Sequence, residues 1–175
     1  MLNSEFFICH IIDGAPTPRE TLERWPLHMT VIPPFEMPIW IETDKVLECI
    51  ADAGHNLDAI ELSCGHIRPG AIPIEIGHEA MFGDYNDIPV VEILDPSGEL
   101  HKLHSTLLLE LGRIGCKFIN FNEEWNGLNY SPHATMKSGK KLDRPFFCTD
   151  LSLCKKDKTG KSVVNTVGLC DRNQQ

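Results

Sequence analysis

Two short stretches restrict what this chain can become more than any others: Trp25-Pro26-Leu27-His28-Met29-Thr30-Val31-Ile32-Pro33-Pro34-Phe35, and much later Tyr130-Ser131-Pro132-His133-Ala134-Thr135-Met136. Each holds His-x-Thr followed by an apolar residue, inside a run of apolar and β-branched residues bounded by prolines, which reads as a strand. On a strand, side chains two apart share a face. His28 and Thr30 therefore point together, as do His133 and Thr135, while Met29, Val31, Ala134 and Met136 turn into the core. An imidazole beside a hydroxyl suits a phosphate, and the chain carries two such pairs.

With eight histidines in 175 residues, chance would place threonine two after histidine roughly 0.4 times, so a single copy means little. A third copy, His104-Ser105-Thr106-Leu107, fails on context. It lies between Gly98 and Gly115, where Leu100, Leu103, Leu107, Leu111 and Ile114 recur at helical spacing. Residues two apart on a helix diverge by about 200°, so His104 and Thr106 cannot converge on one ligand, and His104 reads as a residue on or near the helix's buried face.

The remaining pattern fills in around these. Glu5 to Ile12 is a strongly apolar strand expected at the centre of a sheet, with His10 a hydrogen-bonded core residue rather than a ligand. Thr43 to Gly54 reads as a helix, with Val46, Leu47, Ile50 and Ala51 at helical spacing. Ala59 to Arg68, Ala71 to Gly77 and Ile88 to Leu94 read as strands, the last two around a polar loop from His78 to Asp87. Phe118 to Asn129 reads as a loop. Two further strands, Phe146 to Cys154 and Val163 to Leu169, are joined by a Lys-rich turn. Gly160-Lys161-Ser162 in that turn looks like the end of a phosphate-binding P-loop, but Lys155 stands where the first glycine is needed and a strand follows. The spacing predicts a hairpin.

The net charge of −9 argues against a general binder of duplex nucleic acid. Eight of the sixteen Lys and Arg nonetheless fall between Lys137 and Lys161, against three acidic residues, leaving that window at +5 and the rest at −14. A basic patch beginning just after the second motif would receive a nucleotide or a short single strand; the alternative is a solvated hairpin tip. The seven cysteines are odd in number, widely spread and without Cys-x-x-Cys. That suits reduced, buried thiols rather than a disulfide framework or zinc site. No apolar run approaches ~20 residues, and residues 1 to 12 lack a basic segment before a small-residue cleavage site. The expectation is one domain over residues 1–175, cytoplasmic and monomeric, with no membrane or duplex-DNA partner.

Two His-x-Thr-apolar strands about a hundred residues apart, flanked by Trp25-Pro26-Leu27, Pro34-Phe35 and Tyr130-Ser131-Pro132, resemble the two-histidine (2H) phosphoesterase superfamily, in particular the 2′-5′ RNA ligase and cyclic phosphodiesterase (LigT-like) proteins. The likeness runs from Phe6 to Leu169. It implies an α+β fold of two pseudo-symmetric lobes, each an antiparallel sheet with helices packed outside, facing one another across a central groove. It also implies His28 and His133 as general acid and base, in an order the sequence leaves open, with Thr30 and Thr135 on the phosphate. The family often has a basic residue soon after the second motif, and here Lys137, Lys140 and Lys141 stand in that place, with no arginine. Trp25, Phe35 and Tyr130 are either base-stacking and wall residues or ordinary core.

The chemistry of the residues agrees. In-line cleavage of a phosphodiester needs a proton taken on one side and delivered on the other, and two imidazoles near pKa ~6.5 can hold opposite protonation states. No cofactor and no metal are implied. The expected activity is a metal-independent phosphodiesterase hydrolysing a 2′,3′-cyclic phosphate, or a related 2′-linked bond, at a nucleotide or RNA end. Alternatives are a hydrolase of cyclic or 2′-5′-linked oligonucleotide signals, a nucleotide- or RNA-binding module with little turnover, and a metal protein built from His10, His55, His66, His78 and the cysteines, whose spacings match no ligand pattern.

Overall fold

The computed structural model describes residues 4–14, 18, 21–22, 25–57, 60–61, 67–68, 70–82, 87–119, 121, 126–136 and 142–169. In chain order the elements are β1 (Glu5–Ile11), β2 (Thr21–Leu22), β3 (His28–Glu36), α1 (Thr43–His55), β4 (Ile60–Glu61), β5 (Ile67–Arg68) and β6 (Ile72–Phe82). Then come β7 (Ile88–Leu94), α2 (Glu99–Arg113), β8 (Lys117–Phe118), a 3₁₀ turn (Gly127–Asn129), β9 (His133–Thr135), β10 (Phe146–Cys148), β11 (Asp150–Asp157) and β12 (Gly160–Gly168).

The fold is α+β and mostly strand. A curled antiparallel sheet runs in the order β10-β6-β7-β9-β3-β1-β11-β12-β2, with β8 also paired to β3. The two expected halves are both present, β10-β6-β7-β9 and β3-β1-β11-β12-β2, and they join edge to edge where Met29 on β3 pairs with Ala134 on β9. Each half thus contributes its motif strand to the seam. β1 lies between β3 and β11, as its apolar run requires, and Phe7 through Ile11 are all buried.

Both helices lie on one face of the sheet and against each other. Leu100, Leu103, Leu107 and Leu111 of α2 are wholly buried and form one core with Val46 and Ile50 of α1 and with Ile8, Met29, Val31 and Ala134 of the sheet. Truncating any of these leucines to alanine would cost about 2–5 kcal/mol. The alternation on β3, with Met29 and Val31 buried and His28 and Thr30 half-buried, leaves the two motifs on the opposite face from the helices. A second, smaller apolar cluster of Phe7, Cys9, Ile11, Trp25, Cys154 and Val163 lies on that motif face.

Several sequence expectations need correcting. β6 does not stop at Gly77: it continues to Phe82, pairing Glu79 through Phe82 with Val91 through Ile88 after a register shift. Its second half, His78 to Phe82, is largely exposed and mixes polar with apolar residues, so the core-facing alternation fades while the ladder goes on. Gly77 sits at the shift, where a Cβ would lie 2.9 Å from the Cβ of Glu92, a close approach only glycine permits. Ala59 to Arg68 holds two short paired segments, β4 and β5, instead of one strand. Phe146 to Cys154 is likewise broken at Thr149 into β10 and β11. Phe118 is not loop but pairs, together with Lys117, with β3. Gly160, at φ +127°, begins β12 at the tip of the β11–β12 hairpin, as expected.

Two histidines serve the core. His10 lies 3.0 Å from the Asp150 carbonyl and 3.4 Å from its carboxylate. Burial disfavours its charge, but hydrogen bonding to Asp150 and Cys148 outweighs that and pushes its pKa up to about 10. His10, His55 and His78 lie on three different elements, and His66 is outside the described residues. His104 is wholly buried; its Nδ1–H donates to the Val31 carbonyl at 2.6 Å, and its Nε2 accepts from the Gly127 amide at 3.0 Å. Desolvation holds its pKa below the ordinary imidazole value, against the pull of the Val31 bond. His104→Leu keeps the apolar bulk but strands one buried carbonyl and one amide, at about 1–3 kcal/mol each. Urea unfolding should therefore show a loss of about 2–4 kcal/mol; a loss under 1 kcal/mol would contradict this account of the core.

Candidate active site

The seam sets the geometry. With Met29 opposite Ala134 in an antiparallel pair, the register places His28 opposite Thr135 and Thr30 opposite His133. Met29 and Ala134 are fully buried on the helix side, so the four motif side chains stand on the other face. They form a quartet with the imidazoles on one diagonal and the hydroxyls on the other. Directly opposed Cβ atoms are roughly 4.5–5.5 Å apart and diagonal neighbours roughly 7–8 Å, a spacing in which two rings can flank a single tetrahedral anion.

Each ring is oriented in the same way. His28 Nδ1 lies 3.0 Å from the carbonyl of Pro26, and His133 Nδ1 lies 2.9 Å from the carbonyl of Ser131. A carbonyl can only accept, so Nδ1 carries the proton in both rings and Nε2 is the basic nitrogen of the neutral ring. In each case the acceptor sits two residues before the histidine, a local bond that repeats across the seam. Burial lowers the pKa of His133, with the Ser131 bond opposing the shift. His133 is accordingly a neutral imidazole at neutral pH.

The second motif strand is only three residues long, and Tyr130 fixes its approach. The Tyr130 ring stacks on His104 with centroids 3.9 Å apart and planes within 4°. Its hydroxyl donates to the Thr30 carbonyl at 2.9 Å, tying one motif directly to the other. Its own carbonyl accepts from His101 Nε2 at 3.1 Å, and His101 Nδ1 meets Asp95 at 2.8 Å. Tyr130 is thus a buried brace and not a wall of the groove. Phe35 takes the second of its two readings, ordinary core: it is wholly buried against Phe6 and Phe118. Trp25 is buried too, but on the motif face, its ring centroid 6.0 Å from His28 and 5.6 Å from Phe7. Lys137, Lys140 and Lys141 lie outside the described residues.

A cleft of about 260 Å³ opens beside the quartet, lined by Glu5, Phe7, His28, Thr30, Pro34, Lys156 and Lys161. The His133 side is more closed, because the Phe82 ring lies with its centroid 4.4 Å from the imidazole. Sequence reasoning missed Phe82, Phe7 and the two lysines. Phe82 was hidden in the stretch read as a polar loop. The lysines had been flagged only within a basic window adjoining the second motif, whereas the sheet carries them to the first.

The family profile of the 2′-5′ RNA ligase superfamily matches residues 17–174. Crystal structures of E. coli LigT share the fold: the complex with NADP+ superposes with a TM-score of 0.54 at 12% identity, covering 97% of this chain and 99% of that one. The 3′-AMP complex gives 0.54 at 11% over the same shares, and the phosphate complex 0.53 at 12%, again over 97% and 99%. At such identity the likeness is one of fold. No curated protein matches the chain.

Removing the Tyr130 hydroxyl removes a side-chain bond that joins the two motif segments. Tyr130→Phe is expected to lower stability by about 1–2 kcal/mol while leaving the sheet intact, read by urea denaturation with far-UV circular dichroism. No measurable loss would show that the bond to Thr30 does not brace the seam.

Proposed function

The chain belongs to the 2′-5′ RNA ligase superfamily of two-histidine phosphoesterases, and on that premise we propose that it is a metal-independent phosphodiesterase acting on a 2′,3′-cyclic phosphate, or a related 2′-linked bond, at a nucleotide or RNA end. The observation that carries this reading is the quartet at the seam, two imidazoles and two hydroxyls on one face, with both Nδ1 protons committed to backbone carbonyls.

In the proposed reaction water attacks the phosphorus of the cyclic phosphate. His133 Nε2 takes the proton from that water, a role that suits a ring kept neutral by burial. The bond from phosphorus to one ribose oxygen breaks, and protonated His28 delivers its Nε2 proton to that oxygen. Thr30 and Thr135 donate to the non-bridging oxygens as charge develops on them. Proton exchange with solvent resets the pair, and the same groups reversed would serve ligation. Nucleotide recognition is supported by the LigT complexes with 3′-AMP, ATP and NADP+.

We read the chain as a single-domain monomer of the cytoplasm. Among the described residues no helix is long and apolar enough to cross a membrane. The five described cysteines are buried free thiols, Cys9 and Cys154 hydrogen-bonded through sulfurs 3.6 Å apart, which supports a reducing compartment.

Turnover of a nucleoside 2′,3′-cyclic phosphate in excess chelator tests the reading. His28→Ala and His133→Ala should each lower kcat by about 100- to 10,000-fold. The wild-type kcat/KM should fall as pH drops, through an apparent pKa below the ~6.5 of free imidazole, since protonation removes the base. Wild-type turnover in either variant, or loss of activity on adding chelator, would sink the scheme.

A further inference from the structure

The His28 side of the groove carries more positive charge than one phosphate between two imidazoles would use. Glu5 pairs with Lys156, and Lys156 with Lys161, across β1, β11 and β12. The three form a row on the same face as Phe7, Cys154 and Val163, and all three line the cleft that holds His28 and Thr30. Lys156 is matched by the Glu5 carboxylate at 3.1 Å. Lys161 has no carboxylate partner among the described residues. Its ammonium instead stands 5.6 Å from the ring centroids of both Phe7 and Trp25, the same two rings that flank His28 at 6.3 and 6.0 Å.

The backbone of β12 lies three strands from β3, roughly 14 Å along the sheet. Lys161 therefore reaches inward over the aromatic pair and arrives beside the quartet. A half-buried ammonium held only by ring faces is an incompletely compensated charge. Desolvation, and then the neighbouring Lys156, lower its pKa; the attraction of an anion in the cleft would oppose both. The other side offers nothing equivalent among the described residues. The motif-face positions of β7 beside β9 are Val90 and Glu92, with Phe82 over His133.

Resting on the phosphodiesterase reading, we propose that Lys161, backed by Lys156, forms a second phosphate subsite on the His28 side, so that the preferred substrate carries a further phosphoryl group there, as an oligonucleotide or a bisphosphorylated nucleotide does. The alternative is a lysine that merely covers Phe7 and Trp25 with its methylenes. Such a residue would not distinguish ligands by charge.

Calorimetric titration of the full chain with adenosine 3′-monophosphate and adenosine 3′,5′-bisphosphate separates the two. The wild type should bind the bisphosphate about tenfold more tightly. That ratio should fall to within about twofold in Lys161→Gln, persist in Lys161→Arg and shrink as salt is raised. Equal affinities in the wild type, or a ratio that survives in Lys161→Gln, would overturn the subsite. If Lys161→Gln binds neither nucleotide, a wild-type ratio indifferent to salt overturns it and a ratio that shrinks with salt supports it. Turnover of a 2′,3′-cyclic nucleotide by the same preparations reads the underlying activity separately. Turnover without discrimination removes the subsite alone, and discrimination without turnover removes the catalytic reading alone.

Discussion

Everything about the candidate site depends on one pairing, Met29 against Ala134. Two sheets that met one residue out of register would turn His28 and Thr30 into the helix-packed core, because a single step along a strand reverses every side chain. The register is held from behind by apolar burial, since Met29, Val31 and Ala134 are fully enclosed against α2. It is held from the side by Tyr130, whose hydroxyl reaches the Thr30 backbone while its ring lies on His104. The third His-x-Thr of the sequence therefore has a structural part. His104 ties α2 to β3 through Val31 and to the turn before the second motif through Gly127.

The quartet is symmetric in its hydrogen bonding and asymmetric in its surroundings. Both rings donate Nδ1–H to a carbonyl two residues back, so the folded backbone presets the tautomer. Around that shared core, His133 is covered by Phe82 and kept neutral by burial, while His28 opens on a cleft carrying two lysines. The two ends of the site therefore differ: one packs against an aromatic ring, and the other opens on charged side chains.

Much of this was legible in the sequence, for a physical reason: period-two patterning and helical spacing are local signals. They located β1, β3, α1, β7, α2 and β9, separated the strand-borne motifs from the helical one, and put His10 and His104 in the core. What escaped was whatever depends on cross-strand register. The mixed second half of β6 follows Gly77 and His78-Glu79 and carries no clear alternation, so Phe82 was unseen beside His133. Lys156 and Lys161 are adjacent to Glu5 only because β11 and β12 fold back beside β1. Strand alternation puts Phe35 on the same face as Met29 and Val31, and its packing on Phe6 and Phe118 places it in the core.

The most direct measurement of the central claim is NMR of the full chain with isotope-labelled histidine, titrated with a nucleoside 3′-monophosphate. The account predicts that His28 and His133 are both protonated at Nδ1 in the free protein, and that both Nε2 resonances shift along one shared binding curve. If one ring responds while the other stays still, or if the two saturate at different ligand concentrations, the two imidazoles do not hold a common anion.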